Sequence, residues 1–181
     1  MRRRKIDLIE QEFEPDFVAY TDGSYIIPKD IGASACVILP ANKDEILYQW
    51  SKVCRDSTNN RQELGAIIHV VMNVPLGSSV EIRSDSEYSI GVLGGTMRGK
   101  LNTDLISIYR ATIDERQINV RFEWVRGHAG DYYNEFADSL CTEAVDRFYS
   151  DGTRILKSEN YCEAYLQEKA LDNEYDSIIA I

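Results

Sequence analysis

The 181-residue chain lacks several features that would assign it to common classes of protein. No apolar run approaches the roughly 20 residues of a membrane span, and an acidic segment follows the basic start MRRRK where a secretory signal would be apolar. The four cysteines form neither a CxxC pair nor a zinc-ligand spacing. We therefore expect free thiols in a cytoplasmic protein that has no membrane partner.

The chain also lacks positive charge, since its net charge is −10. An acidic protein is a poor partner for a polyanion unless some of its acids are neutralised. Residues 17–150 carry 18 acidic and 13 basic residues, so four metal ligands among the acids would leave the rest nearly neutral. The charge thus does not exclude nucleic acid, but it predicts weak electrostatic affinity for it.

Two further motifs are missing, a phosphate-binding Walker loop and a serine-nucleophile elbow. What is present is a mixed α/β pattern of hydrophobic residues over residues 17–149. Strands are predicted at 17–24, 31–39, 45–53, 78–85 and 118–125, and helices at 57–74, from 86, at 103–116 and at 133–149. The first three strands suggest an antiparallel meander. Residues 1–16 are predicted to be a tail and residues 150–181 an acidic C-terminal extension.

One carboxylate stands inside an apolar helix face. On the helix predicted at 57–74, Glu63 falls within the stripe formed by the aliphatic side chains. A buried carboxylate costs several kcal/mol unless it is paired, protonated or bound to a metal. His69 falls on the opposite side of this helix, so we predict an ordinary surface histidine.

The last predicted helix follows the segment VRGHAGDYYNEFAD, which begins at Val125. Asp138 lies at the edge of its apolar stripe, whereas Asp131 and Glu135 fall on the solvated side, where acids in a first helical turn are common. Asp138 is therefore the acid directed most inward on this helix.

Two more acids lie at the ends of predicted strands. Asp22 ends an apolar strand and Asp85 ends the segment VEIRSD. Each has an ordinary alternative explanation, because DGS is typical of a turn and Asp85 could cap the following helix. Four acids from four elements can nevertheless meet at one edge of an α/β sheet. Four adjacent carboxylates repel one another, and Mg²⁺ or Mn²⁺ would relieve that repulsion.

Four motifs in order resemble type 1 ribonuclease H: YTDGS from Tyr20, TNNRQELGAI from Thr58, IRSDSEY from Ile82 and WVRGHAGDYYNEFAD from Trp124. The resemblance covers about residues 16–148. It implies a ribonuclease H-like fold, with a five-stranded mixed sheet of a three-strand antiparallel meander and two parallel strands, flanked by helices.

The resemblance also implies an endonuclease that hydrolyses the RNA strand of RNA/DNA hybrids with two Mg²⁺ ions, leaving 5′-phosphate and 3′-hydroxyl ends. Asp22 would bridge both ions. Asp138 would help to hold the ion that activates water, while Glu63 and Asp85 would hold the ion near the leaving oxygen. His128 would lie in a mobile loop and assist proton transfer or product release.

Substrate contacts implied by the resemblance lie on four segments of the chain. Asn59 and Asn60 would touch the hybrid backbone, with helix capping as the alternative. Tyr88 would pack on the DNA strand, with core packing as the alternative. The full set is Gly23, Ser24, Thr58, Asn59, Asn60, Glu87, Tyr88 and Asn102, of which Thr58 and Asn102 would hold a DNA-strand phosphate.

The chain departs from the family pattern where many bacterial members carry a long basic protrusion. Arg98 and Lys100 are the basic residues that remain between Ser89 and Thr103, and Glu87 stands where a neutral residue is common. These differences predict weak, salt-sensitive binding of hybrids. The extension at 150–181 could pack on the domain or bind a protein partner. Two other functions remain open: a non-catalytic binding module and another metal nuclease, such as a resolvase, on the same fold.

Overall fold

A computed structural model describes residues 13–179, with side chains described as far as Leu171. The first twelve residues of the predicted tail and residues 180–181 lie outside the described residues. The strands are β1 (Phe17–Ile26), β2 (Ile31–Pro40), β3 (Tyr48–Cys54), β4 (Ser79–Ser84), β5 (Asn119–Trp124) and β6 (Ile155–Lys157). The α-helices are α1 (Asn59–Asn73), α2 (Glu87–Leu93), α3 (Thr103–Glu115), α4 (Tyr132–Asp151) and α5 (Cys162–Ile179), with a 3₁₀ turn at Ile27–Lys29.

The strands form one mixed sheet in the order β5-β4-β1-β2-β3-β6. β1, β2 and β3 make an antiparallel meander, and β4 pairs in parallel with both β1 and β5. The predicted α/β fold is therefore confirmed.

The predicted number of five strands is wrong, because the described residues contain a sixth. β6 lies in the predicted extension and pairs antiparallel with β3, with Trp50 opposite Lys157. Three residues are too few to show an alternating pattern, so this strand has no signal in the sequence. This strand forms because the edge of β3 presents backbone N–H and C=O groups with which it can pair.

Two hydrophobic cores lie on opposite faces of the sheet. One contains the aliphatic stripe of α1, packed against residues such as Phe17 and Ile82. The other contains the inner face of α4, packed against β1, β2 and β3. The start of α5 joins the first core, where the rings of Tyr165 and Phe17 meet edge to face with centroids 5.5 Å apart.

The four cysteines are free thiols, and three of them are buried in these cores. Within residues 13–179, no helix combines the length and apolar character needed to cross a bilayer.

The prediction that His69 is an ordinary surface residue is wrong. Its ring stacks on Trp50 of β3 with centroids 3.6 Å apart, and Nε2 lies 2.8 Å from the Tyr48 hydroxyl. Burial, followed by the charges of Lys157 and Lys52, lowers the pKa of His69 to about 4. Helical periodicity placed His69 opposite the aliphatic stripe, but the aromatic side chains of β3 cover that flank of the helix.

Candidate active site

Asp22 lies on β1 at the site. The next residue, Gly23, lets α1 pack closely against this strand. A Cβ atom on Gly23 would stand 2.2 Å from the Glu63 backbone nitrogen, which no side chain can do. The missing side chain lets the helix approach the strand closely. Glu63 is consequently held next to Asp22.

α1 begins just before this contact. Thr58 is its N-cap, and its hydroxyl accepts a hydrogen bond of 3.3 Å from the Arg61 backbone N–H. Glu63 lies one turn further and is only 5% exposed, as its place in the apolar stripe predicted.

Asp85 follows the last residue of β4 and does not cap a helix. Ser86 caps α2 instead, because its hydroxyl accepts from the Ser89 backbone N–H. The indole Nε1 of Trp124 donates to the Asp85 carbonyl at 3.2 Å. A Cβ on Gly127 would stand 2.4 Å from Asp85 Oδ2, so this glycine leaves room for the carboxylate.

Three of the predicted carboxylates converge. One oxygen from each of Asp22, Glu63 and Asp85 lies within 4.8 Å of the others. Asp22 Oδ2 and Glu63 Oε2 are buried and have no hydrogen-bond partner among the residues that the structure describes. Such buried, unpaired acceptors are costly in a folded protein.

The electrostatics reflect this crowding. Burial, followed by the charges of Asp22 and Asp85, raises the pKa of Glu63 to about 9. Burial also raises the pKa of Asp22 to about 6, with Asp138 and Asp85 adding to the increase. Without a cation, burial and the neighbouring carboxylates therefore favour the protonated form of Glu63.

Asp138 lies beside this cluster and is not part of the close group. Its side chain is 46% exposed, in accordance with its place at the edge of the α4 stripe, and its charge acts on Asp22. His128 lies in the loop before α4 with Nδ1 4.0 Å from Asp138 Oδ2, and its side chain is 82% exposed. Its φ of 53° is in the left-handed region, next to the permissive Gly127 and close to Gly130.

The other acids of this segment have structural roles. Asp131 is the N-cap of α4 and accepts from the Asn134 backbone N–H, while Glu135 accepts from the Gly130 backbone N–H. Neither carboxylate joins the cluster.

The donor set fits a hard divalent cation. Carboxylate oxygens are the ligands that Mg²⁺ and Mn²⁺ prefer, and here two of them are buried with no partner among the described residues. A cation would offset both the mutual repulsion of the acids and their loss of solvation.

A model of the RNase H family matches residues 14–146, which include the whole carboxylate cluster. The chain belongs to the ribonuclease H family. A protein named Ribonuclease H from Anaeromyxobacter sp. (strain K) is 30% identical over 168 residues, which cover 83% of this chain and 91% of that protein. Another of that name from Methylorubrum extorquens (strain PA1) is 39% identical over 137 residues, covering 69% of this chain and 58% of that protein.

Solved structures show the same ribonuclease H fold. The crystal structure of LC11-RNase H1 in complex with an RNA/DNA hybrid superimposes with a TM-score of 0.64 at 24% identity, covering 74% of this chain and 99% of that one. The N-terminal RNase H domain of rv2228c from Mycobacterium tuberculosis has a TM-score of 0.62 at 18% identity, covering 77% of this chain and 100% of that chain.

The residues predicted to contact substrate differ in exposure: Thr58, Asn59, Asn60 and Glu87 are exposed, Ser24, Tyr88 and Asn102 are partly exposed, and Gly23 is buried. Asn59 and Asn60 are exposed in the first turn of α1, and neither is its cap, because Thr58 has that role. Ser24 is partly exposed in β1, and Glu87 is exposed in the first turn of α2.

Tyr88 and Asn102 form a small hydrogen-bonded group. Tyr88 packs against the core, and its hydroxyl donates to the Leu101 carbonyl and accepts from Asn102 Nδ2 at 3.1 Å. Asn102 Oδ1 accepts from Arg61 Nη1 at 3.3 Å, and Arg61 also forms an ion pair with Asp104. This arrangement keeps Asn102 beside the start of α1.

Some supporting residues had no signal that sequence patterns could detect. Arg61 links α1 to α3, and the Cys141 thiol donates to the Asp22 carbonyl at 3.6 Å. Gly127 was visible as one of the glycines that bracket His128, but its closeness to Asp85 requires the folded chain.

Proposed function

We propose that this protein is an endonuclease that hydrolyses the RNA strand of RNA/DNA hybrids. The observation that carries the proposal is a pair of buried carboxylate oxygens on Asp22 and Glu63 that have no partner among residues 13–179, with Asp85 close by. Such a cluster is costly to maintain unless it serves a cation. The family membership and the hybrid bound to LC11-RNase H1 both support a hybrid substrate.

Two Mg²⁺ ions, which Mn²⁺ would replace, are the cofactors of this proposal. Asp22 would be shared between them, with Asp138 completing one position and Glu63 and Asp85 the other. When bound, such ions activate water and stabilise the leaving oxygen at phosphorus, which gives 5′-phosphate and 3′-hydroxyl ends.

The surrounding residues would select and orient the hybrid. Asn59 and Asn60 are exposed where they can donate and accept hydrogen bonds with 2′-hydroxyl groups, which distinguish RNA from DNA. Thr58 and Asn102 would hold a phosphate of the DNA strand. Gly23 and Ser24 follow Asp22 on β1. Tyr88 would pack on the DNA strand, and Glu87 would lie beside the substrate.

His128 would move a proton or assist product release. It is mostly exposed and close to Asp138, on a loop whose glycines permit movement. An imidazole has one nitrogen that can accept a proton and one that can donate it, which suits transfer of a proton to or from solvent.

The test is a cleavage assay in Mg²⁺ with RNA/DNA, RNA/RNA and DNA/DNA duplexes of one sequence. We expect cleavage of the RNA strand in the hybrid alone, and mass spectrometry should find 5′-phosphate and 3′-hydroxyl ends. Asp22→Asn is the matched control and should be inactive. Cleavage of DNA/DNA alone, or of none of the three, would refute the proposal.

A further inference from the structure

A groove of about 450 Å³ runs between β3 and α1, outside the carboxylate cluster. Three basic residues line it, Lys52, Arg55 and Arg61, while Asp56 is its one acidic lining residue within the described part of the chain. In a protein of net charge −10 this is a local reversal of sign.

The C-terminal strand adds a fourth basic residue. Lys157 of β6 stands opposite Trp50 of β3, and its charge reaches His69 together with that of Lys52. Among the described residues, Lys52 and Lys157 form no ion pair, and both are exposed. The guanidinium of Arg55 instead lies over the Phe148 ring, 5.6 Å from its centroid. The charges of the two lysines are therefore available to an anionic ligand.

The floor of the groove is a fixed aromatic stack. Trp50 and His69 are parallel within 8°, and His69 is held further by Tyr48 and by Asn73 Nδ2 at 3.1 Å. Because burial keeps His69 neutral, the positive charge of the groove resides in the lysine and arginine side chains.

The groove is continuous with the start of α1. Arg61 lines it and also donates to Asn102, the residue expected to hold a DNA-strand phosphate with Thr58. A DNA strand leaving that phosphate along α1 would meet Lys52 and Lys157 next.

We propose that this groove binds the phosphate backbone of single-stranded DNA that extends beyond the hybrid. The inference rests on the proposed function, since that function places the DNA strand at Thr58 and Asn102. A groove with basic walls suits one strand, because single-stranded nucleic acids are bound along such tracks. The C-terminal extension would then provide part of the basic contact that a protrusion provides in relatives.

The experiment compares Lys52→Gln/Lys157→Gln with the wild type on hybrids that are blunt or that carry a DNA overhang at either end. Both lysines are exposed, so the variant should fold normally. Lys43→Gln/Arg110→Gln removes the same charge from exposed sites outside the groove and serves as the matched control. Steady-state KM and kcat are measured in Mg²⁺, and anisotropy is measured in an Asp22→Asn background.

For the wild type, an overhang at one end should lower KM roughly tenfold at low salt, with kcat unchanged. The groove variant should lose this gain, and its slope of log affinity against log salt should fall by about 1 to 2. The control variant should keep both the lower KM on overhang substrates and the wild-type salt slope.

An overhang effect that is equal in the groove variant and the control overturns the inference. The inference is also overturned if an acidic peptide of the same charge binds the groove more tightly than the DNA overhang does. If the wild type cleaves no hybrid, the proposed function fails by itself, and overhang binding that depends on the two lysines would still support the groove.

Discussion

Two carboxylates dominate the protein at the scale of single residues. Glu63 is buried beside the half-buried Asp22, and both have raised pKa values. Sequence periodicity identified Glu63 as misplaced in an apolar stripe, and the order of the elements allowed three other acids to meet it at one edge of the sheet. The raised pKa values of Glu63 and Asp22 result from the way the folded chain packs around them.

Glu63→Gln should stabilise the metal-free protein while abolishing cleavage. The folded pKa of Glu63 is about 9, above the usual glutamate value of 4.5, so the unfolded state binds fewer protons between these pH values. Stability is therefore lost as pH rises through this window. The substitution should raise Tm by roughly 5 °C at pH 8 in EDTA.

Calorimetry with and without Mg²⁺ checks this expectation. Mg²⁺ should raise the Tm of the wild type far more than that of the variant. Glu45→Gln, at an exposed position, is the control and should leave the Tm unchanged both in EDTA and in Mg²⁺. A lower Tm for Glu63→Gln in EDTA would contradict the burial argument.

His69 should make the protein sensitive to mild acid. Its folded pKa of about 4 lies below the usual histidine value of 6.5, so the unfolded state binds more protons between pH 4 and pH 6.5. Stability is present above pH 6.5 and is lost as pH falls toward 4, by on the order of 2 kcal/mol.

Urea unfolding at pH 7 and pH 4.5 measures this loss. His69→Phe keeps a ring against Trp50 but cannot be protonated, so its stability should fall less over the same interval. An equal fall in both proteins would show that other groups cause the acid sensitivity.

At the scale of elements, the contact between β1 and α1 builds the site. The strand supplies Asp22 and the helix supplies Glu63, and Gly23 sets the distance between them. The predicted helices and most strands agree with the observed ones within a few residues, because their hydrophobic periods are clear. β3 starts at Tyr48, three residues later than predicted.

Gly23→Ala should damage stability and activity together. The added Cβ would lie 2.2 Å from the Glu63 nitrogen, so strand and helix must separate. We expect a loss of roughly 2 to 3 kcal/mol in unfolding free energy and of about 100-fold in kcat/KM.

Gly65→Ala is the matched control on the same helix. Its Cβ would lie 3.4 Å from Ser34 Oγ, and alanine favours a helix over glycine by about 1 kcal/mol. Urea unfolding and hybrid cleavage should both stay near wild type for this variant. Equal damage from the two substitutions would mean that the Gly23 contact has no special role.

At the scale of the whole molecule, the C-terminal extension is joined to the domain. β6 extends the sheet, and Cys162 and Tyr165 of α5 are buried in the first core. The Tyr165 hydroxyl also donates to Asn42 Oδ1 at 2.8 Å, and Lys169 forms an ion pair with Asp16.

Deleting residues 151–181 should lower Tm by roughly 5 to 10 °C, because these buried contacts are lost. Cleavage of a blunt hybrid at low salt should persist, since all four carboxylates precede the deletion. Deleting residues 172–181 is the control, because it removes none of the described buried side chains. An unchanged Tm after the longer deletion would show that the extension does not stabilise the domain.

The sequence by itself determined the α/β class, the order of the main elements and the identity of the carboxylates. Each depends on local periodicity or on a short motif. Glu63 violates a helical stripe and Asp138 borders one, so their positions can be inferred from angles along a single helix.

The tertiary structure alone decided which groups meet. β6 has too few residues to carry a pattern, and His69 is buried by aromatic residues from a different element. The basic groove likewise joins Lys52 and Arg61, and β6 adds Lys157 opposite Trp50, although these residues are distant along the chain. Contacts of this kind depend on how elements pack, which periodicity within one element does not encode.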